Sequence, residues 1–420
     1  MYTWKTRKTT IAAIMGIMIY TIFFCFAFAY PTVFPTGVTI YKPSKCWNGY
    51  TLYPIKNGGP VLLFDMNGNV VNKWDVIPWR AILLPDGHLL ISARRGGTGA
   101  AADAKIEEYC KIENLDNKLL EYDWDGNLVW EYEAPSQTHH DLQKLPNGNT
   151  IFLYEETVPD RYMKLVKDSK RRVGMLLGDV ICEINPKGKV IWEWHTYKHL
   201  DLNIYSPADI LEKWSHTTKI QVLPKNKWFD AGYKEFSPGN ILTNQRNLNS
   251  CRIIDRKTKK IVWTYSGDYK GGLAFPSEAH MIEPGLPGAG NILIFDNGTA
   301  NKKKEHDGQT FALEINPVTK EIVWKYEKGE QFFSRTAGTQ QRLPNGNTFI
   351  SERTKGRYFE VTPEGEIVWE YMNIRKGKGC FPHRYPYNYC PQLKALPKPK
   401  ELTVTPPKNE DWHLVPDALK

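Results

Sequence analysis

One phrase recurs six times along the chain and limits what it can fold into. It reads LLFDMNGNVVNKW (62–74), LEYDWDGNLVW (120–130), ICEINPKGKVIWEW (181–194), RIIDRKTKKIVWTY (252–265), ALEINPVTKEIVWKY (312–326) and YFEVTPEGEIVWEY (358–371). In each copy an alternating run meets a turn built from Asp, Asn, Pro, Thr or Gly, and a second run carries a closing Trp, which is the signature of a β-hairpin. A second phrase, turn then strand, precedes the hairpins: LLPDGHLLIS (83–92), LPNGNTIFL (145–153), SPGNILTNQ (237–245), GAGNILIFD (288–296) and LPNGNTFIS (343–351), with NGYTLYP (48–54) as a truncated copy.

Together the phrases make a four-stranded unit, and such a unit cannot bury both faces alone. Six units packed radially do so for one another, so the pattern predicts an all-β, six-bladed β-propeller over residues 31–395. The first unit lacks its inner strand, and the segment His383–Leu393 is expected to supply it and close the ring. Insertions interrupt the repeat at 156–178 and at 195–216, where PADILEKW reads as a short helix after Ser206. Residues 396–420 read as a tail.

The first 30 residues are different. Lys5, Arg7 and Lys8 precede an uncharged apolar run from Thr9 to Tyr30, long enough for a helix that crosses a bilayer. The run reads as an uncleaved signal-anchor, with Ala27-Phe28-Ala29 offering a cleavage site as the alternative. Basic residues before the span keep the N-terminus inside, so the remainder is expected outside the cytoplasm: periplasmic or extracytoplasmic, held at the inner membrane. Six cysteines lie beyond the span, and Cys380 with Cys390 is the pair first expected to bridge there. The net charge of +9 is scattered rather than gathered into a stripe, which argues against nucleic acid as a partner. No Cys-x-x-Cys occurs, and no cofactor is called for.

Inner strands of a propeller line its channel, so polar residues shortly before each turn should converge. His139 stands six residues before Leu145, with His140 and Asp141 beside it; His216 stands seven before Leu223, and His280 six before Leu286. Arg246 follows the next strand of the His216 unit. A lone His at a strand entry is more often a satisfied structural residue than a catalyst, but the matched set points to function. A three-histidine metal site stays open on this reading, although Arg246 would be repelled by a metal cation and an anion suits both residue types better.

The order HHDLQKLPNGN, WEWHTYKHLDL, WSHTTKIQVLP with LTNQRNL, SEAHMI with ILIFDNG, and SRTAGTQQRLPNGNT resembles the bacterial arylsulfotransferase family over residues 45–395. The resemblance implies transfer of a sulfo group from a phenolic sulfate ester to a phenol acceptor without a nucleotide donor. It implies His280 as the nucleophile that becomes a sulfo-histidine in a ping-pong cycle, with His216, Arg246 and either His139 or His140 holding the sulfo oxygens, and Ser334 or Thr336 as a further hydroxyl contact. Where the family pattern reads His-Ala-Asn, this chain has His216-Thr217-Thr218, so a hydroxyl replaces an amide beside the substrate. That departure keeps a second class in view, a non-catalytic propeller serving as a binding or scaffold subunit at the membrane. A quinoprotein-like redox enzyme is a third class, and it needs a bound cofactor.

Overall fold

A computed structural model describes residues 36–55, 59–95, 108, 109, 111–172, 174–204, 213–298, 308–373 and 381–405. Gly37–Pro406 make one compact unit. Within it the strands form six antiparallel sheets, each a blade of four strands, and the strand nearest the axis comes first in sequence in blades 2 to 6. Those inner strands are Pro78–Leu83, Thr138–Lys144, Thr217–Val222, Pro276–Met281 and Thr339–Arg342. Blade 1 takes its inner strand, His383–Pro386, from the C-terminal end of the ring: His383 pairs with Leu52 and Tyr385 with Tyr50. The closure expected from the missing strand is therefore present.

A second closure was not legible in the repeat. Gly37–Tyr41 adds a fifth, outermost strand to blade 6, pairing with Ile367–Met372. Its effect shows in the residue before the closing Trp. Val129, Ile191, Val262 and Val323 are 41–52% exposed on open edges, whereas Val368 is fully buried beneath the added strand. Val404, in the segment read as a tail, in turn bridges Tyr41. An unpaired edge is a template for misassociation, and this one is covered by the chain itself.

Adjacent blades are tied by a repeated hydrogen bond. The Trp130 indole N–H donates to Pro186 O (3.1 Å), Trp192 to Arg256 O (2.9 Å), Trp263 to Pro317 O (2.8 Å), Trp324 to Pro363 O (2.9 Å) and Trp369 to Met66 O (2.9 Å). Each acceptor is the hairpin turn of the next blade. Blade 1 has Asn72 at the equivalent ladder position, opposite Leu63, and its amide donates to Trp124 O at 2.9 Å. A side-chain amide thus replaces the indole without breaking the ring of contacts. At the seam, buried Arg384 lies between the Phe349 and Trp369 rings and pairs with buried Glu360.

The apolar run 9–30, the PADILEKW helix and Cys380 lie outside the described residues. Among the described residues no helix is long and apolar enough to cross a membrane, and Cys46, Cys182, Cys251 and Cys390 form no disulfide with one another.

Trp369→Phe keeps an aromatic ring in place but removes the donor that satisfies Met66 O across the seam. The expected loss is about 1–3 kcal/mol, read as a lower urea midpoint with an unchanged slope.

Candidate active site

Three layers of side chains cross the channel, and the strand register orders them. Counting from the first residue of each turn, Arg80, Asp141, Lys219 and Glu278 occupy one level, and Thr339 and Phe381 complete the layer's wall. The charges alternate in sign from blade 2 to blade 5. Arg80 Nε lies 3.1 Å from Asp141 Oδ1, Asp141 Oδ2 lies 3.1 Å from Lys219 Nζ, and Lys219 Nζ lies 3.8 Å from Glu278 Oε1. Each carboxylate also reaches the next blade's backbone: Ile220 N–H donates to Asp141 at 3.1 Å and Gln340 N–H to Glu278 at 2.7 Å. Burial raises the Glu278 carboxyl, but His280, Lys219 and Arg80 overcome it and hold the group down at about 2.

Below this layer lies a belt of glutamines. Val222 N–H donates to Gln143 (3.1 Å), Met281 N–H to Gln221 (2.7 Å) and Arg384 N–H to Gln341 (2.9 Å), so each amide is spent on the next inner strand. His280 and His383 stand at this same level in blades 5 and 1. That placement corrects the sequence alignment of His280. The residue equivalent to Leu145 and Leu223 is Ile282, whose N–H bonds Asn291 O just as Leu145 bonds Asn149 O and Leu223 bonds Asn240 O. Leu286, used as the marker, sits inside a longer turn. His280 is therefore two residues from its turn rather than six, and matches Gln221, five residues below His216, or about 15 Å of strand.

Above the charged layer the other histidines do meet. His140 Nε2 and His216 Nε2 are 3.0 Å apart, one nitrogen donating and the other accepting, with ring centroids 4.6 Å apart and planes at 75°. Both residues have left-handed backbones, φ 56° and 47°, a conformation that costs of order 1–3 kcal/mol and persists where the surroundings impose it. His140 lies at a bulge where its inner strand slips against its neighbour, and His216 immediately precedes the inner strand of blade 4, two residues before that strand's own slip at Thr218. Trp79 packs edge-on against His140 at 5.2 Å. Arg246 shares this end of blade 4: its N–H donates to His216 O at 3.1 Å, and its guanidinium covers the Phe275 ring at 4.3 Å and donates to Asn247 Oδ1 at 2.8 Å.

The remaining candidates sort by what they touch. His139 turns away from the channel into the blade, with Nε2 3.3 Å from Asp179 Oδ1. Burial pushes its imidazole below the usual range against the pull of that carboxylate. Asp179 is committed to blade 4, accepting from Ser215 Oγ and from the N–H and hydroxyl of Thr217. Of the His139/His140 pair, His140 thus faces inward. Thr218 is buried above the charged layer beside the partly buried His140, and its oxygen accepts from Asn244 Nδ2 at 2.7 Å, leaving its hydroxyl proton to donate. Ser277 holds the matching level in blade 5. Ser334 is not brought into the channel: it donates to Ala337 O and contacts Thr354 Oγ1 within its own loop. Thr336 is exposed on that loop.

The gap between the histidine layer and the charged layer is too small for a water molecule. On the other side the channel opens into a cavity of about 720 Å³ that His280 lines. His280 and the His140–His216 pair therefore face separate spaces. The missed residues, Arg80, Lys219, Glu278 and Asn244, carry a signal only after register is known: the first three share one offset from their turns. Among the described residues one group could offer three ligand atoms to a metal, Asp86 and His88 on a turn of blade 2 with Glu121 on a strand beside it, and none of the channel histidines belongs to it.

His383, deep in the channel, is pushed down to about 3 by burial and by the Arg80 and Lys219 charges. Unfolded histidine takes up its proton near pH 6.5. Between those values the unfolded chain binds a proton that the folded one refuses, so stability falls as the pH drops through this window. His383→Gln, which installs the belt's usual residue, should lose less stability than the parent between pH 6.5 and 4 in urea titrations. An unchanged pH slope would refute the assignment.

Several solved structures resemble the chain in outline. A protein of unknown function from Bacteroides caccae is 14% identical with a TM-score of 0.48, the alignment covering 80% of this chain and 98% of that one. Streptogramin B lyase is 15% identical with a TM-score of 0.42, covering 83% and 86%. The Dos1 propeller is 11% identical with a TM-score of 0.38, covering 80% and 75%. No curated protein matches. The family profile described as arylsulfotransferase (ASST) matches residues 117–374, which takes in blade 3 through blade 6, the His140–His216 pair and Arg246. With more than half of its length so matched, the chain belongs to the arylsulfotransferase family.

Proposed function

We propose that this protein transfers a sulfo group from a phenolic sulfate ester to a phenol acceptor at the His140–His216 pair. The 3.0 Å contact between the two Nε2 atoms carries the reading, because one proton lies between them and one nitrogen is left with a lone pair. Substrate parts the pair, and the bare nitrogen attacks sulfur. As the N–S bond forms, the S–O(aryl) bond breaks, and the departing aryl oxide takes the electron pair and then a proton from the other imidazole, which serves as the imidazolium and is left neutral. In the second half the acceptor phenol returns a proton to that imidazole and attacks sulfur, the N–S bond breaks, and the pair is restored. Ping-pong kinetics follow from this order.

Sulfo transfer spreads negative charge over three oxygens, so fixed donors around it lower the barrier. Arg246 supplies positive charge at this end of blade 4, and Thr218, oriented by Asn244, supplies a hydroxyl donor where the family pattern has an amide. The basic residues before the apolar run 9–30 support placing this activity outside the cytoplasm, anchored at the membrane.

His140→Asn and His216→Asn should each lower kcat for p-nitrophenyl sulfate by about 10³-fold or more, and Arg246→Met by about 10²-fold. His280→Gln should stay within about threefold of the parent, because its side chain faces the other space. Peptide mapping after mixing with donor alone should find an acid-labile sulfo group on His140 or His216. A sulfo group on His280, or loss of turnover on changing that residue alone, would move the chemistry to the lower cavity. Full activity in both His140 and His216 variants would leave the scaffold reading.

A further inference from the structure

Two left-handed histidines in contact need something that holds them there, because each adopts a backbone conformation that most side chains avoid. The holding groups sit on their neighbours in the chain. Ser215 and Thr217, on either side of His216, are both fully buried, and both turn onto Oδ2 of Asp179. Ser215 Oγ donates to it, as do the Thr217 N–H and hydroxyl, the latter two at 2.8 Å. The same segment is docked by its backbone: Trp214 N–H donates to Leu177 O at 3.3 Å, Arg246 N–H to His216 O at 3.1 Å, and Asn247 N–H to Ser215 O at 3.3 Å. The other oxygen of the carboxylate, Oδ1, lies 3.3 Å from Nε2 of His139, the neighbour of His140. Asp179 itself is only 4% exposed and stands on the third strand of blade 3, Leu177–Ile184. One buried carboxylate thus contacts the chain neighbours of both histidines, and the transfer steps above give it no part.

We propose that Asp179 is the positioning residue of the histidine pair. With Ser215 and Thr217 fixed on one oxygen, the His216 backbone is held in its left-handed turn and its imidazole is delivered toward His140. With His139 seated against the other oxygen, the bulge between blade 3's first two strands is oriented so that the next ring faces inward; Asp141, tied to Arg80 and Lys219, fixes the far end of that bulge. Asp179 touches no reacting atom. It acts through position, and a misplacement of about 1 Å between reacting groups can cost about 10²-fold in rate. The kinetic consequence rests on the sulfo-transfer reading, whereas the contact between the rings does not.

Histidine-selective ¹⁵N NMR of the purified full chain in detergent reads that contact without any turnover. The parent should show a ring N–H coupled to the nitrogen of a second ring, a signal that His140→Asn and His216→Asn each remove. Asp179→Ala should remove it too, and should lower kcat for p-nitrophenyl sulfate by about 10²-fold with KM within about threefold of the parent. Asp179→Asn, which keeps an oxygen of the same shape for Ser215 and Thr217, should restore the signal and most of the rate. Where Asp179→Ala fails to fold, Ser215→Ala combined with Thr217→Val removes two of the three donors and should weaken the signal and lower kcat about tenfold. A residue that only stabilised the fold would lower the urea midpoint and leave the signal and the kcat of the folded enzyme intact; that result overturns the proposal, as does absence of the signal from the parent. Loss of the signal in Asp179→Ala, in a protein whose parent shows no turnover, supports the positioning role and overturns the sulfo-transfer reading instead.

Discussion

The indole N–H that reaches the next blade's turn is the constraint on which the other features of this ring rest. It recurs in five blades through Trp130, Trp192, Trp263, Trp324 and Trp369, and Asn72 supplies its equivalent in blade 1. A single such bond contributes about 1 kcal/mol net. Its importance lies in geometry, because it fixes the height of each blade against its neighbour at the periphery. The glutamine belt and the carboxylates Asp141 and Glu278 do the same at the axis. With both radii pinned, residues far apart in sequence meet at fixed depths.

Those depths divide the channel. The alternating layer of Arg80, Asp141, Lys219 and Glu278 is electrically balanced within itself, so it can be buried across the axis without an unpaired charge. It separates a face bearing two left-handed histidines from a face bearing a cavity. Imidazoles in contact suit proton exchange during group transfer, and positions held at positive φ show that the surrounding fold imposes this contact. The cavity side has neither feature. One propeller channel thus presents two chemically unlike ends.

Much of the architecture was legible beforehand, since strands, turns and closing tryptophans follow from period-two alternation and turn chemistry. The missing first inner strand likewise pointed to His383–Pro386. The added outer strand Gly37–Tyr41 was not legible, because a lone edge strand repeats nothing. For the site, His139 or His140, His216, His280 and Arg246 were read as one group; the fold brings His140, His216 and Arg246 to one end and leaves His280 at the level of the glutamine belt. His280 was misplaced because an unusually long turn, running to Asn291, displaced the leucine used as a marker. Ser334 was assigned a substrate contact but spends its hydroxyl within its own loop.

The sequence alone determined a six-bladed ring, its family and the residue types gathered at its axis, because hairpin patterns are local and are written in consecutive residues. Only the tertiary structure decided depth and facing: that His140 looks inward while His139 is turned onto Asp179, and that His280 lies on the far side of a charged layer. Depth depends on bulges and turn lengths, each residue of slip moving a side chain by about 3.3 Å and to the opposite face. Such slips are settled by which backbone hydrogen bonds close around the whole ring.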